Sequence, residues 1–143
     1  MPAIEFFAQD IPFKLPHPSK TRRWIQEVIQ REGHSLNHLN FIFCSDAYLL
    51  EMNQQYLNHN TLTDIITFDN SEEEGSIEGD IFISVERVRE NAASIGVSFD
   101  DELHRVIIHG VLHLLGYPDK SAAEKTRMRK KEDACLSLRT SPQ

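Results

Sequence analysis

The sequence has few cysteines and no long apolar run, and both absences narrow the class of protein that it encodes. It contains only two cysteines in 143 residues, Cys44 and Cys135. Two are too few for a disulfide framework, so we expect buried free thiols and a reducing compartment. No run of about 18 apolar residues occurs, which predicts no membrane span. The first residues lack the basic and apolar segments of a secretory signal, so we expect a cytoplasmic protein.

Positive charge is also scarce. The chain has 15 basic and 22 acidic residues, a formal net charge of −7, which argues against nucleic-acid binding by the whole surface. The charge is nevertheless uneven, with an acidic segment at 71–80 and basic clusters at 20–24 and 125–131. Each basic cluster is either a local face for a polyanion or an ordinary solvated helix face, and the sequence leaves both readings open.

The hydrophobic pattern predicts an α+β fold. Strands are predicted at 3–8, 39–44, 64–69 and 79–84, and helices at 20–32 (capped by Ser19), 46–57, 85–96, 101–116 and 121–138. The segments 64–69 and 79–84 flank an acidic turn and predict a hairpin. We therefore predict a single domain over residues 1–143, in which a small mixed sheet of about four strands is covered by about five helices.

The most apolar predicted helix contains two histidines four residues apart, His109 and His113, in the stretch HGVLHLLGYPDK. This spacing places both imidazoles on one helix face, within reach of one metal ion. Gly110 costs about 1 kcal/mol relative to alanine inside a helix, which indicates that something approaches the backbone there. A glycine then ends the helix, and the following turn brings Asp119 back towards the histidines.

Two imidazoles and a carboxylate form a familiar zinc set with one position open for water. The pattern therefore indicates a metal site on the central C-terminal helix. Core histidines satisfied by protein groups remain the alternative that the residues alone leave open. His34 and His38 have the same spacing but follow a glycine, where a helix is doubtful, so we predict no site there.

Three motifs, in order over residues 40–135, resemble the YbeY family of bacterial metal-dependent endoribonucleases. They are HGVLHLLGY (109–117), MNQQYLNHNTLTDIITF (52–68) and EGDIFIS (78–84). The resemblance implies a zinc-dependent hydrolase that cleaves ribosomal RNA or its precursor. It also implies the ribosome or its small subunit as partner, with no membrane and no nucleotide cofactor.

The chain departs from the family pattern at its third metal-binding position, where the family has histidine and this chain has Asp119. Carboxylate is a competent zinc ligand, so the resemblance implies a catalytic metal held by His109, His113 and Asp119. A bound water would be less acidified than in a three-histidine site, and manganese becomes a second candidate. The alternative is that Pro118 misdirects the turn and Asp119 caps the helix that begins near Ser121.

A second departure is Leu57, which stands where the family has an arginine implied to contact the phosphate backbone. The candidates to replace that cation are His59, Arg105 and the basic residues of 125–131. Four other residues near the predicted site have either a substrate role or an ordinary structural one: Thr63, Asp64, Thr67 and Tyr117. His104 is predicted to lie at the surface or at the edge of the core. The rival function is therefore a non-catalytic ribosome-assembly or RNA-binding factor with a structural metal. Proteolysis of the HExxH kind is disfavoured, because Gly110 stands where that motif has its general base.

Overall fold

The computed structural model describes residues 3–139, which contain four strands and five helices. In chain order these are β1 (Ile4–Ala8), α1 (Pro18–Arg31), β2 (Ser35–Cys44), α2 (Asp46–Leu57), β3 (Ile65–Asp69), β4 (Ser76–Ser84), α3 (Val85–Ile95), α4 (Phe99–Leu114) and α5 (Ala122–Leu136). The predicted α+β fold is confirmed. None of the helices in this described range is long and apolar enough to cross a membrane.

The strands form one mixed sheet in the order β1-β2-β4-β3. The β1–β2 and β2–β4 pairs are parallel, whereas β3 runs antiparallel to β4. The predicted hairpin is therefore confirmed, with Thr67 opposite Ile81. On the other side of β4, Ile81 is paired with Phe41 of β2. The central strands thus present alternate side chains to the same face of the sheet.

The main core lies between this face and helices α1 and α4. Phe41, Ile81 and Ile83 of the sheet are fully buried there, as is Ile107 of α4. Helix α4 buries residues around most of its circumference, which confirms the prediction of a central helix. A smaller cluster, on the face covered by α2, contains Cys44, Leu49, Met52 and Ile66. Both cysteines are buried and free.

Several predicted boundaries are wrong, among them the starts of β4, at Ser76 rather than 79, and of α4, at Phe99 rather than 101. Helix α1 begins at Pro18 rather than after a Ser19 cap, and its N-cap is His17, which has a φ of 50° and no capping hydrogen bond from its side chain. Proline is well suited to the first helical turn, where its fixed φ fits and its missing N–H loses no bond. Strand β2 begins at Ser35, four residues before the predicted start. Its first half alternates exposed and half-buried residues and therefore lacks the apolar pattern from which the strand was predicted. His38 therefore lies in a strand and does not share a helix with His34.

Candidate metal centre

Helix α4 holds its two histidines at a depth set by the glycine between them. A Cβ atom on Gly110 would lie 2.9 Å from Cδ1 of Ile65 and 3.0 Å from Cγ2 of Ile81. The group that approaches the backbone at this position is therefore the sheet. Since the helix packs this closely, His109 and His113 are carried on a rigid support against β3 and β4, each partly exposed on one side of the core.

The turn after α4 returns the chain to the two histidines. Gly116 has a φ of 103°, a left-handed conformation that reverses the chain after the helix. Helix α5 is capped by Ser121, whose side chain and that of Glu124 form a reciprocal capping box. The alternative role of Asp119 as the cap of this helix is therefore wrong. Its carboxylate faces the histidines instead.

The three predicted ligands converge on a single point. Oδ2 of Asp119 lies 3.2 Å from Nε2 of His109 and 3.2 Å from Nε2 of His113. The three donor atoms all lie within 4.8 Å of one another. Ligands about 2.0–2.1 Å from a tetrahedral zinc lie about 3.3 Å apart, so the two separations from Asp119 match those of ligands to one cation. Three protein ligands leave one tetrahedral position free.

The second ring nitrogen of His109 is fixed by a residue that the sequence did not reveal. Nδ1 lies 2.6 Å from Oε2 of Glu132, a side chain only 6% exposed. The other oxygen of Glu132 accepts a hydrogen bond from Arg105 at 2.8 Å. A carboxylate on Nδ1 keeps that nitrogen protonated and leaves Nε2 free to bind a metal, the arrangement common behind metal-bound histidines.

The protonation of His109 follows from these contacts. Burial disfavours the charged imidazole, but the hydrogen bond to Glu132 and the negative charges of Glu132, Asp119 and Asp64 outweigh burial, so the pKa of His109 is raised. Without a metal, the ring lies between the carboxylates of Glu132 and Asp119 and takes up a proton more readily than a free imidazole does. A divalent ion would supply positive charge at the same point, which adds to the geometric fit.

A cavity of about 360 Å³ between α4 and α5 is lined by two of the three donor residues, His109 and Asp119. Its lining combines acidic, basic and apolar side chains: Asp64, Ile65, Glu102, Arg105, Val106, His109, Asp119, Lys125, Met128, Arg129 and Glu132. Burial raises the pKa of Asp64. Burial, followed by the charge of Asp64, also raises the pKa of Glu102. Two carboxyl groups that retain protons more readily than exposed ones therefore line this cavity.

The structure places only some of the other predicted residues in the lining of this cavity. Of Thr63, Asp64 and Thr67, only Asp64 lines the cavity. Leu57, at the end of α2, is 45% exposed and lies outside the lining. Of the two places predicted for His104, the structure excludes the surface: the residue is 5% exposed, and Nδ1 donates a hydrogen bond to the carbonyl of Asp100 at 2.7 Å.

The fold and the site together define an α+β protein with a candidate mononuclear site of two histidines and one aspartate, beside an open cavity. The family model described as Endoribonuclease YbeY matches residues 7–139. The chain belongs to the YbeY family.

Curated relatives agree over nearly the whole chain. The chain is 54% identical over 136 residues to the Endoribonuclease YbeY of Cytophaga hutchinsonii, covering 95% of each chain. It is 53% identical to that of Flavobacterium psychrophilum, covering 92% of this chain and 94% of the relative. The solution structure of TM1509 from Thermotoga maritima is 26% identical, with a TM-score of 0.62 over 94% of this chain and 89% of that one.

Proposed function

We propose that this chain is a metal-dependent endoribonuclease whose site is formed by His109, His113 and Asp119. The observation that carries the proposal is the convergence of both Nε2 atoms on one oxygen of Asp119, beside a cavity open to a ligand. The printed name of its relatives, Endoribonuclease YbeY, supports RNA as the substrate class. Ribosomal RNA or its precursor is the proposed substrate, with the ribosome or small subunit as partner in the cytoplasm.

Zinc is the proposed metal, since two imidazoles and one carboxylate are ligands that it commonly takes, with manganese as the second candidate. A bound divalent cation would polarise a phosphoryl oxygen and make a bound water more acidic. The protein would contribute orientation: Glu132 holds the proton on Nδ1 of His109, and Arg105 neutralises the far oxygen of Glu132. We further propose that residues 1–143 act as one catalytic domain.

Hydrolysis also needs a group that transfers protons, and the cavity contains a candidate for it. Asp64 lies in the cavity lined by His109, and burial raises its pKa. Its carboxyl group is therefore placed to hold or release a proton near the substrate. Substrate hydroxyls and phosphates would enter from the side of α5, which contributes Lys125 and Arg129 to the lining.

One observation favours a second candidate function, a non-catalytic RNA-binding factor with a structural metal. Leu57 replaces the arginine expected for phosphate contact, and it lies outside the lining of the cavity. Arginine restored at this position separates the two functions. Cleavage that rises in Leu57→Arg with unchanged metal content identifies the missing cation as limiting, whereas cleavage absent from both proteins favours the binding factor.

The first experiment measures metal content by elemental analysis in tag-free protein, in Asp119→Ala and in Asp101→Ala. Asp101 is an exposed acidic residue in the first turn of α4 and serves as the matched control. We expect about one zinc or manganese per chain, lost only in Asp119→Ala, together with loss of cleavage of a precursor ribosomal RNA fragment. Metal retained in Asp119→Ala would remove that residue from the site. No metal in any protein, even after reconstitution, would contradict the proposal.

A further inference from the structure

The basic segment 125–131 is divided by helix α5 into side chains with different surroundings. Lys125 and Arg129 line the cavity beside the metal centre, together with the buried Met128 and Glu132. These four positions follow the spacing of one helix face. Arg127 and Lys130 are exposed and do not contribute to the cavity. The helix thus places two of its cations at the site and two others away from it.

Lys125 and Arg129 also differ from the cations that the structure uses internally. Arg105 makes ion pairs with Glu132 at 2.8 Å and Asp133 at 2.6 Å, and Lys131 pairs with Glu32 at 2.6 Å. Within residues 3–139, neither Lys125 nor Arg129 makes an ion pair or a side-chain hydrogen bond. Arg105 therefore supports Glu132, whereas the two exposed cations are available to a ligand.

The distribution of charge in the cavity favours binding of an anion at its rim rather than its floor. Glu102 and Glu132 line the cavity and are buried, and Asp64 lines the same space. A phosphate placed among them would meet negative charge. Lys125 and Arg129 are exposed at the opening on α5, one turn apart, which is about 6 Å along the helix axis. They can therefore contact phosphates of a strand that passes over the cavity.

We propose that Lys125 and Arg129 bind backbone phosphates of the RNA strand and so position it across the metal centre. This role rests on the proposed endoribonuclease function and provides the cation that is missing at Leu57. The guanidinium of Arg129 can grip phosphate oxygens through two parallel hydrogen bonds, and the ammonium of Lys125 adds a mobile point charge. Both are positioning residues, because neither is among the donors that would hold the metal.

The test compares Lys125→Ala and Arg129→Ala with Arg127→Ala and Lys130→Ala. All four variants remove one positive charge from the same helix, so the net charge and the general attraction to RNA change equally. Binding of a fluorescent single-stranded RNA is measured by anisotropy at several salt concentrations, with metal content and cleavage measured in parallel. Binding alone tests the phosphate contact, even if the protein does not cleave.

We expect Lys125→Ala and Arg129→Ala each to weaken RNA binding roughly threefold to tenfold and to reduce the log–log salt slope by about 0.7. Metal content should stay unchanged, and cleavage should show a raised KM rather than a lowered kcat. Conservative Arg129→Lys should restore part of the binding. Equal losses in Arg127→Ala and Lys130→Ala, or no RNA binding by the unsubstituted protein, would overturn the proposal. Binding that depends on Lys125 and Arg129 without any cleavage would overturn only the endoribonuclease function.

Discussion

The hydroxyl of Tyr117 donates a hydrogen bond to Oε1 of Glu32 at 2.6 Å and ties the turn that carries Asp119 to the end of α1. Nζ of Lys131 lies 2.6 Å from the other oxygen of Glu32, so α5 is joined to the same point. Partial burial opposes ionisation of Glu32, but the hydrogen bonds from Lys131 and Tyr117 outweigh it and lower its pKa. The hydroxyl of Tyr117 is therefore bonded within the protein, between the turn and the end of α1.

Replacement of Tyr117 by phenylalanine tests whether this tie positions Asp119. The ring is kept and only the hydrogen bond is lost, so we expect unfolding free energy to fall by about 1 kcal/mol. Metal affinity, measured by competition with a chromophoric chelator, should weaken severalfold because the turn becomes less restrained. Tyr48→Phe, in α2, is the matched control. If both variants bind metal as the unsubstituted chain does, the turn is positioned by other contacts.

Glu132→Gln tests the carboxylate behind His109. An amide that lacks the negative charge should hold the Nδ1 proton less firmly and make Nε2 a weaker ligand, so we expect metal affinity to fall about 10- to 100-fold. Asp133→Asn is the control, because Asp133 shares the Arg105 contact without reaching His109. The affinity is measured by the same chelator competition. Equal affinities in the two variants would show that Glu132 serves only Arg105.

The residues of the candidate site differ in how far they could be predicted from the sequence. His109 and His113 were predictable because a helix fixes the geometry of residues four apart, and Asp119 because a short glycine turn limits where the chain can go. Glu132 lies 23 residues from His109, and only the packing of α5 on α4 brings them together. Its one sequence signal is an acidic residue on the same helix face as the buried Met128 and Cys135.

The fold shows the same division between local and tertiary information. The approximate positions of the strands and the start of α2 at Asp46 were predictable, since each depends on neighbouring residues. The early start of β2 was not, because its polar half is stabilised by pairing with β4 rather than by its own hydrophobicity. The burial of His104 also depends on tertiary packing, against Trp24 on α1.

Gly79→Ala is expected to be strongly destabilising. A Cβ atom there would lie 2.5 Å from the carbonyl oxygen of Phe68 on β3 and 3.1 Å from Cδ1 of Leu114 on α4. Since the first neighbour is backbone, the strand pairing itself would have to shift, at a cost of about 2 kcal/mol or more. Urea denaturation measures the effect. The comparison is Gly75→Asn, because asparagine tolerates the left-handed conformation at that open position, and it should cost less than about 1 kcal/mol.

If Gly79→Ala unfolds at the same urea concentration as the unsubstituted chain, the β3–β4 hairpin is able to absorb the added methyl group. The close approach of Phe68 would then not be a reason for glycine at this position. Loss of stability in both glycine variants would instead indicate that the hairpin is sensitive to any substitution between residues 69 and 79.

His104 is expected to make the fold less stable in mild acid. Its burial lowers the pKa of the imidazole below the ordinary value of 6.5; the hydrogen bond to the Asp100 carbonyl opposes that shift, and the positive charge of Arg139 adds to it. The unfolded chain therefore binds a proton at a pH where the native chain does not. This contribution to stability is present above about pH 6.5 and is lost as the pH falls towards the native pKa.

His104→Gln keeps a hydrogen-bond donor but does not titrate, so it isolates this contribution. We expect the difference in unfolding free energy between the two proteins to change between pH 7.5 and pH 5, with the unsubstituted chain losing more. The single tryptophan, Trp24, lies 5.7 Å from the His104 ring and reports unfolding by fluorescence. Titration of the ring by NMR should give a pKa below 6.5. Parallel pH profiles would mean that His104 is protonated equally in the folded and unfolded chains, and that its burial leaves room for the charge.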